Sequence, residues 1–170
     1  VIYDRLRADR PVLGVCVGEQ IMFTEGEEHG VDTEGLGLIG GAVTRLDADV
    51  VPHMGWDNVQ APEGSILLDG VEDERFYFVH SYAACDVTPA DTSEYQIDCA
   101  DAPERVAWCT YGRSRFVAAY EHGPLFATQF HPEKSAQAGA PLPPNRPPAQ
   151  QASHLMTNRP TQPPEDHTMP

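Results

Sequence analysis

The stretch PVLGVCVGEQIMF, residues 11–23, decides how the rest of the chain is interpreted. A short apolar run ends in Gly-Val-Cys-Val-Gly, and a segment of helical pattern follows, so the stretch predicts a strand, a tight turn and a helix. Cys16 lies in that turn between Gly14 and Gly18, the small neighbours that an exposed nucleophile on such a turn needs. The same glycines suit a small core cysteine in a close-packed bend, so this stretch alone leaves the role of Cys16 open.

If Cys16 is a nucleophile, the segment after it would favour the ionised form of its thiol. The predicted helix, with Ile21 and Met22 on one side and a glycine at its end, would direct its amides at the sulfur. Such a field favours a thiolate, and the Val17 N–H would be the natural donor to an oxyanion.

Composition bounds the class of protein. The chain has 170 residues, 41% of them apolar, and a formal net charge of -15. That charge argues against a nucleic-acid partner or an anionic membrane surface, because both need clustered Lys and Arg. No apolar run reaches the length of a membrane span and the first residues are not a signal peptide, so we expect a cytoplasmic protein. The four cysteines show no C-x-x-C spacing, which favours reduced thiols.

The chain divides near residue 140. Nine of its 16 prolines lie in residues 140–170, a spacing that no helix or strand tolerates. We therefore predict one α/β domain over residues 1–139 and a proline-rich disordered tail over 140–170.

Most of the domain after residue 30 has a strand pattern. Seven β-rich runs each end at or near Gly, Pro, Asp or another turn signal: LIGGAVTRL, VVPHMGWDNVQ, SILLDG, RFYFVHSYAA, VAWCTYG, FVAAYEHG and LFATQFH. The last two predict a hairpin that turns at His122-Gly123-Pro124. A sheet of this size needs cover on both faces, and one short helix is not enough. We therefore expect that part of the fold, on the N-terminal side, is missing.

A second motif, QFHPEKS at residues 129–135, bears on Cys16. His131 and Glu133 are two residues apart at the end of an apolar strand, so their side chains would leave on one face if the chain stays extended. A neutral imidazole could take the thiol proton, and a carboxylate on its other nitrogen would hold the tautomer. The pair could also ligate a metal, but the chain offers no third and fourth ligand at a convincing spacing.

GVCVGEQ followed by QFHPEKS resembles the class I glutamine amidotransferases, which have a flavodoxin-like mixed sheet flanked by helices. GLGLIGG at 35–41, VPHMGWDNV at 51–59 and RFYFVHSYAA at 75–84 resemble, within that family, the glutaminase subunits that serve imidazole glycerol phosphate synthesis in histidine biosynthesis. The resemblance covers about residues 11–139.

The resemblance implies a catalytic Cys-His-Glu triad of Cys16, His131 and Glu133 that hydrolyses glutamine to glutamate and ammonia without a cofactor. It implies substrate contacts at the following positions: Val17, Gly18, Gln20, Glu28, His80, Ser81 and Tyr82. From the residues alone, Gln20 and Glu28 could equally be solvent-facing helix residues. FYFVHSY could likewise be a core strand in which the His80 ring forms its hydrogen bonds with neighbouring residues.

The same resemblance implies a partner. Ammonia would pass to a TIM-barrel cyclase in a heterodimer, docked on a face that contains Pro52, His53, Met54, Gly55, Trp56 and Lys134. Trp and Met are enriched in interface cores, although PHMGW could also be a loop closed by a buried tryptophan.

The chain departs from the family pattern at several places. Glu19 stands where Met is usual, and Asp57 stands where Asn is usual. A carboxylate three residues after the nucleophile would raise its pKa if it faced inward. No glycine-rich oxyanion loop precedes Val1, and AGAPLPPNRPP replaces the expected last helix, so we expect a fragment or a miscalled reading frame. Two other functions stay open: a binding module that has lost catalysis, and a cysteine hydrolase of another amide or peptide.

Overall fold

A computed structural model describes residues 1–28, 30–90 and 102–135, without the side chain of Glu28. The predicted tail over 140–170, the last residues of the predicted domain and Cys99 lie outside the described residues. Within the described part, no helix is long and apolar enough to cross a membrane.

The described elements are two short α-helices, ten strands and one 3₁₀ helix. The helices are α1 (Ile2–Arg7) and α2 (Val17–Gln20), and the 3₁₀ helix is Pro132–Lys134. The strands are β1 (Val12–Val15), β2 (Phe23–Glu28), β3 (Val31–Glu34), β4 (Ile39–Arg45), β5 (His53–Asn58), β6 (Arg75–His80), β7 (Tyr82–Ala84), β8 (Arg105–Tyr111), β9 (Ser114–His122) and β10 (Leu125–Thr128).

These strands form three sheets. One has the order β1-β10-β9-β8, a second has the order β3-β2-β4-β7, and β5 pairs with β6 alone. Strands β1 and β10 run parallel, as do β2 and β4, while the other pairs are antiparallel. The predicted mixed α/β architecture is confirmed.

Strand β9 is buried along most of its length because it feeds two hydrophobic clusters. Phe116 and Ala118 pack in one cluster with Phe76, Phe78 and Phe130, whose aromatic rings lie edge to face or tilted against each other. Val117 and Tyr120 pack in the other cluster, which includes residues of α1 and β4. Phe116 and Val117 point to opposite faces, as neighbours in a strand do. The register shift at Ala118, where Trp108 pairs with Val117 but Ala107 with Ala119, then returns Tyr120 to the face of Val117, so β9 forms the shared wall of both clusters.

The sheet that positions the candidate site begins with a hairpin. Leu125 pairs with His122, so β9 turns into β10 at residues 123–124, as predicted. β1 then aligns beside β10 in parallel, with Val15 opposite Thr128. The carboxyl ends of two neighbouring parallel strands therefore lie together, and the chain segments with Cys16 and His131 leave from that edge.

Three local predictions are wrong: the length of the helix after Cys16, the single strand at RFYFVHSYAA and the strand at SILLDG. The helix after Cys16 stops at Gln20, and the chain enters β2 at Phe23, because Phe23 pairs across to Ile39 rather than continuing a helical face. RFYFVHSYAA is two strands, since the chain changes sheet at Ser81.

SILLDG is a turn and not a strand. The buried carboxylate of Glu121 accepts hydrogen bonds from Ser65 Oγ and from the backbone N–H groups of Ile66 and Leu67, at 2.8 and 3.2 Å for the two amides. The turn places Leu67 and Leu68 in the first cluster. A tertiary hydrogen-bond partner thus replaces the ladder that a strand would require.

Candidate active site

Cys16 occupies a strained turn between β1 and α2. Its φ is 54° and its ψ is -112°, a conformation that L residues other than glycine rarely adopt. Its N–H donates to the Thr128 carbonyl at 2.7 Å, and its carbonyl accepts from the N–H groups of Glu19 and Gln20 at 3.0 and 3.1 Å. The backbone is therefore held from both sides, as an elbow that displays a side chain requires.

Gly14 makes that turn possible through close packing. A Cβ at Gly14 would lie 2.5 Å from the Gly18 carbonyl oxygen, whereas a Cβ at Gly18 would meet nothing within 4 Å. Only the first of the two flanking glycines is therefore required by the described packing.

The Cys16 thiol is not acidified, contrary to the expectation from the helix. Burial raises its pKa above the usual 9.0; the Val17 N–H lowers it, while the Glu133 carboxylate, and Glu19 when it is ionised, raise it further. The helix α2 has only four residues, so its dipole is too short to offset burial. The thiol is protonated near neutral pH, and its ionisation needs a base.

His131 and Glu133 form a base with its orienting carboxylate. His131 Nδ1 lies 2.9 Å from Glu133 Oε1. The chain does not stay extended here, which is the condition under which the sequence predicts the two side chains on one face: it enters the 3₁₀ helix at Pro132, and the carboxylate reaches the ring from that turn. Burial raises the pKa of Glu133, but the hydrogen bond from His131 and the other charges near it lower the pKa by more. The ionised carboxylate accepts the Nδ1 proton, which leaves Nε2 with its lone pair.

The second nitrogen of this ring is open to contact with another group. His131 Nε2 is buried and has no hydrogen-bond partner among the described residues, while the His131 N–H is anchored to the Tyr77 carbonyl at 2.9 Å. A buried nitrogen without a partner is costly to keep in a folded protein, and it marks a place where another group can bind.

Gln129 is a site residue that the sequence did not single out. It is fully buried, and its Nε2 lies 3.7 Å from Cys16 Sγ. Its Oε1 accepts from Gln20 Nε2 at 2.9 Å, and Gln20 Nε2 also donates to the Tyr82 carbonyl at 2.7 Å. One feature of the sequence could have indicated Gln129. It is an amide side chain at the end of an apolar strand, two residues before His131, at a position where another apolar residue would be expected.

A cleft of about 830 Å³ opens beside Cys16. Its lining includes five of the predicted substrate-contacting residues: Val17, Gln20, His80, Ser81 and Tyr82. Gly18 does not line it, and the Glu28 side chain lies outside the described part. The wall also contains Arg45 and the carboxylates of Glu25, Glu27 and Glu34, so the cleft offers charges of both signs. That mixture suits a small zwitterion.

The predicted partner-binding residues divide by exposure. Met54 is 63% exposed and Trp56 43% exposed, whereas His53 is 3% exposed and stacks on Phe78 and Tyr111. The alternation follows from the strand period of β5. The side chain of His53 thus faces the core and cannot touch a partner directly.

The exposed side of β5 continues onto neighbouring elements. Trp56 lies edge-on to Tyr77, with ring centroids 5.8 Å apart, and the Lys134 ammonium lies 5.4 Å from the Tyr77 ring. We call Met54, Trp56, Tyr77 and Lys134 the docking surface. Pro52 is exposed and lines the cleft, and Gly55 stands between Met54 and Trp56.

Glu19 is an ionisable side chain that is buried without a full set of hydrogen bonds. It is 1% exposed, and its Oε1 has no hydrogen-bond partner in the described part of the chain. Burial raises its pKa well above 4.5. Across the described ranges, no group of three or more His, Cys, Asp and Glu side chains is arranged to hold a metal ion.

Comparison with known proteins places these features in a family context. Residues 1–146 match the family described as Glutamine amidotransferase class-I. The chain is 72% identical over 142 residues to imidazole glycerol phosphate synthase subunit HisH of Bifidobacterium longum, covering 84% of this chain and 66% of that protein. It is 57% identical over 142 residues to the protein of the same name from Leifsonia xyli, with coverage of 84% and 65%. It is 48% identical over 143 residues to that from Corynebacterium glutamicum, again with coverage of 84% and 65%. The chain therefore spans just under two thirds of the length of these relatives.

Proposed function

The chain belongs to the class I glutamine amidotransferase family, and on that premise we propose that it hydrolyses glutamine to glutamate and ammonia. The observation that carries the proposal is the meeting of two motifs at one sheet edge. The strained Cys16 turn follows β1, and the His131–Glu133 pair follows the parallel neighbour β10.

In the first half of the reaction, His131 Nε2 takes the proton of the Cys16 thiol, and the sulfur attacks the side-chain carboxamide carbon of glutamine. The carbon–nitrogen bond breaks, and the nitrogen leaves as ammonia with the proton from His131. In the second half, His131 takes a proton from water and the oxygen of that water attacks the thioester carbon. The carbon–sulfur bond breaks, glutamate is released, and the proton on His131 returns to the Cys16 sulfur. Glu133 holds the ring tautomer and stabilises the imidazolium.

The cleft supplies the substrate site. The five predicted substrate-contacting residues that line it lie beside the sulfur, and its mixed charges can match the carboxylate and ammonium of free glutamine. Gln20 uses its amide nitrogen internally, so its Oε1 remains the atom that can accept a hydrogen bond from a ligand.

The partner and pathway form the next part of the proposal. The relatives carry the name of a synthase subunit, and the docking surface exposes Met and Trp next to Lys134. We place a TIM-barrel cyclase on that surface as the second subunit of a heterodimer that makes imidazole glycerol phosphate for histidine biosynthesis. A thiol nucleophile must stay reduced, which fits a cytoplasmic location. Residues 1–139 would form the amidotransferase part, and 140–170 a proline-rich segment outside it.

A second candidate, a binding module without turnover, is favoured by one observation: the Cys16 thiol is partly buried, and burial together with the Glu133 carboxylate raises its pKa. A glutamine-analogue electrophile separates the two candidates. We expect the full chain to be labelled on Cys16, the variant Cys16→Ser to remain unlabelled, and ammonia release to rise when a cyclase subunit is added. A folded chain that docks the cyclase but is neither labelled nor active would leave only the binding module.

A further inference from the structure

We propose that His53 is a positioning residue for the Cys16 thiol, connected to it by a line of hydrogen bonds that starts at the buried His53–His80 pair and is partly buried from there to the sulfur. The inference rests on the proposed function only for the role of Cys16. We call this line the relay, and its members are His53, His80, the Tyr82 carbonyl, Gln20, Gln129 and Cys16.

The first part of the relay crosses from β5 to β6. His53 Nδ1 lies 3.2 Å from His80 Nε2, and His80 Nδ1 lies 3.0 Å from the Tyr82 carbonyl oxygen. Both rings are buried, and His53 is clamped between the rings of Phe78 and Tyr111, with centroids 4.8 and 4.1 Å away. The position of His53 is thus set by packing.

The second part of the relay reaches the sulfur. Gln20 Nε2 donates to the Tyr82 carbonyl at 2.7 Å and to Gln129 Oε1 at 2.9 Å. Gln129 Nε2 then lies 3.7 Å from Cys16 Sγ. The Tyr82 carbonyl is therefore the shared acceptor at which the two parts of the relay meet.

Hydrogen-bond chemistry allows one arrangement of protons along the relay. A carbonyl only accepts, so His80 carries its proton on Nδ1 and presents a lone pair on Nε2. His53 must then carry its proton on Nδ1 to donate to His80. Gln20 donates to Gln129 Oε1, which turns the amide nitrogen of Gln129 toward the sulfur. An N–H group aimed at sulfur stabilises the thiolate over the thiol.

Burial keeps both rings neutral near neutral pH. Burial lowers the pKa of His53 by more than the nearby Asp57 carboxylate raises it. The Asp57 carboxylate lies 3.6 Å from His53 Nε2. The pKa of His80 is lowered to about 4, chiefly by burial; the Tyr82 carbonyl opposes this shift, and His53 and His131 add to it. Near neutral pH the proton arrangement described above therefore persists.

The relay links the docking surface to the nucleophile. His53 lies on the same strand as Met54 and Trp56 but on its opposite face. A displacement of β5 by a bound partner would move the His53 ring, the Tyr82 carbonyl and, through the two glutamines, the donor at the sulfur.

A matched pair of variants tests the proposal on the full chain without glutamine or a partner. His53→Phe keeps a ring between Phe78 and Tyr111 but removes the donor, whereas His53→Asn can place an amide N–H where Nδ1 lies. Iodoacetamide modification is followed at each cysteine by peptide mass spectrometry, near neutral pH. We expect modification of Cys16 to slow by about threefold to tenfold in His53→Phe, the range of one hydrogen bond, and to stay within about twofold in His53→Asn.

Buried Cys109 reports folding in the same samples, because it should stay protected in every variant. If Cys109 stays protected and Cys16 reacts equally fast in His53→Phe and the unchanged chain, the proposal is overturned. If His53→Phe exposes Cys109, the decision rests on ¹⁵N NMR of the histidine rings in the unchanged chain. We expect both His53 and His80 to carry the proton on Nδ1; a proton on Nε2 of either neutral ring contradicts the relay.

These outcomes are separable from those of the proposed function. Failure of the glutamine analogue to label Cys16 would leave the ring tautomers and the effect of His53→Phe unchanged. Normal glutamine hydrolysis with no effect of His53→Phe would remove the relay alone.

Discussion

Glu19 carries a buried carboxyl group three residues after Cys16, the proposed nucleophile. The side chain is buried, one oxygen has no partner among the described residues, and its pKa lies well above 4.5. The acid is therefore neutral in the folded chain at a pH where it is ionised in the unfolded chain. Its effect on stability is most favourable below pH 4.5 and becomes less so as the pH rises toward the folded-state pKa.

Replacing Glu19 by Met should stabilise the fold. We expect Glu19→Met to raise the free energy of unfolding by about 1–3 kcal/mol at pH 8, because an unsatisfied polar atom is removed from the interior. The gain should be smaller at pH 5, because this pH is close to the ordinary carboxyl pKa of 4.5 and keeping the proton in the folded chain then costs little. Urea unfolding at both pH values measures this, with Glu63→Met at an exposed site as the control. An equal gain at both pH values would contradict a raised Glu19 pKa.

Glu133 tests the orientation of the base. Glu133→Gln keeps an oxygen for the Nδ1 proton but removes the charge that stabilises the imidazolium. We expect kcat for glutamine hydrolysis, measured with a cyclase subunit, to fall by about 10²-fold or more. Glu63→Gln makes the same change of charge on an exposed loop and should leave kcat within twofold of the unchanged chain. Equal activities of the two variants would remove Glu133 from the proposed triad.

At the scale of elements, the contact between β1 and α2 is the tightest feature of the site. The Gly14 position has no room for a side chain, since a Cβ would lie within 2.8 Å of Gly18 backbone atoms and of Met22 Cε. Gly18 lies in α2 with open space around it. The two glycines therefore have different tasks although they flank Cys16 symmetrically.

Substitution of each glycine by alanine should separate these tasks. We expect Gly14→Ala to lower the free energy of unfolding by about 1–3 kcal/mol or more, because backbone atoms must shift. Gly18→Ala should be neutral or stabilising by up to about 1 kcal/mol, because alanine loses less backbone entropy in a helix. Thermal melts measure the stability of both variants, and the rate of Cys16 alkylation reports whether the turn that holds Cys16 is disturbed. If Gly18→Ala destabilises the fold as much as Gly14→Ala, the packing described for the elbow is wrong.

For the whole molecule, the docking surface is the clearest candidate for contact with a second protein. It combines an exposed thioether, an exposed indole and the Lys134 cation on one side of the β5–β6 sheet. Aromatic side chains in such positions often contribute most to the binding energy.

Trp56→Ala should weaken binding of a cyclase subunit without unfolding the chain. We expect a loss of about 2 kcal/mol, close to 30-fold in Kd, with a melting temperature near that of the unchanged chain. Val31→Ala, at a residue 61% exposed on β3, is the matched control and should bind normally. If isothermal titration gave the same Kd for both variants, the partner would not dock on this surface.

Several features follow from the residues without a structure. The elbow at Cys16, the His131–Glu133 pair, the hairpin at 122–124 and most strands depend on patterns within a few residues, where local geometry dominates. The alternation of β5 also follows from its sequence, but which of its two faces is covered does not.

The rest depended on contacts between distant residues. Gln129 and Cys16 are 113 residues apart, and His53 and His80 are 27 apart, so each pair meets only through the register of its strands. The turn at SILLDG depends on a carboxylate 54–56 residues away. A residue pattern reports the preferences of a short segment, whereas the partner of a buried polar group is selected by how the sheets assemble. The candidate nucleophile could therefore be predicted from the sequence, whereas the environment that governs its ionisation became visible only in the folded chain.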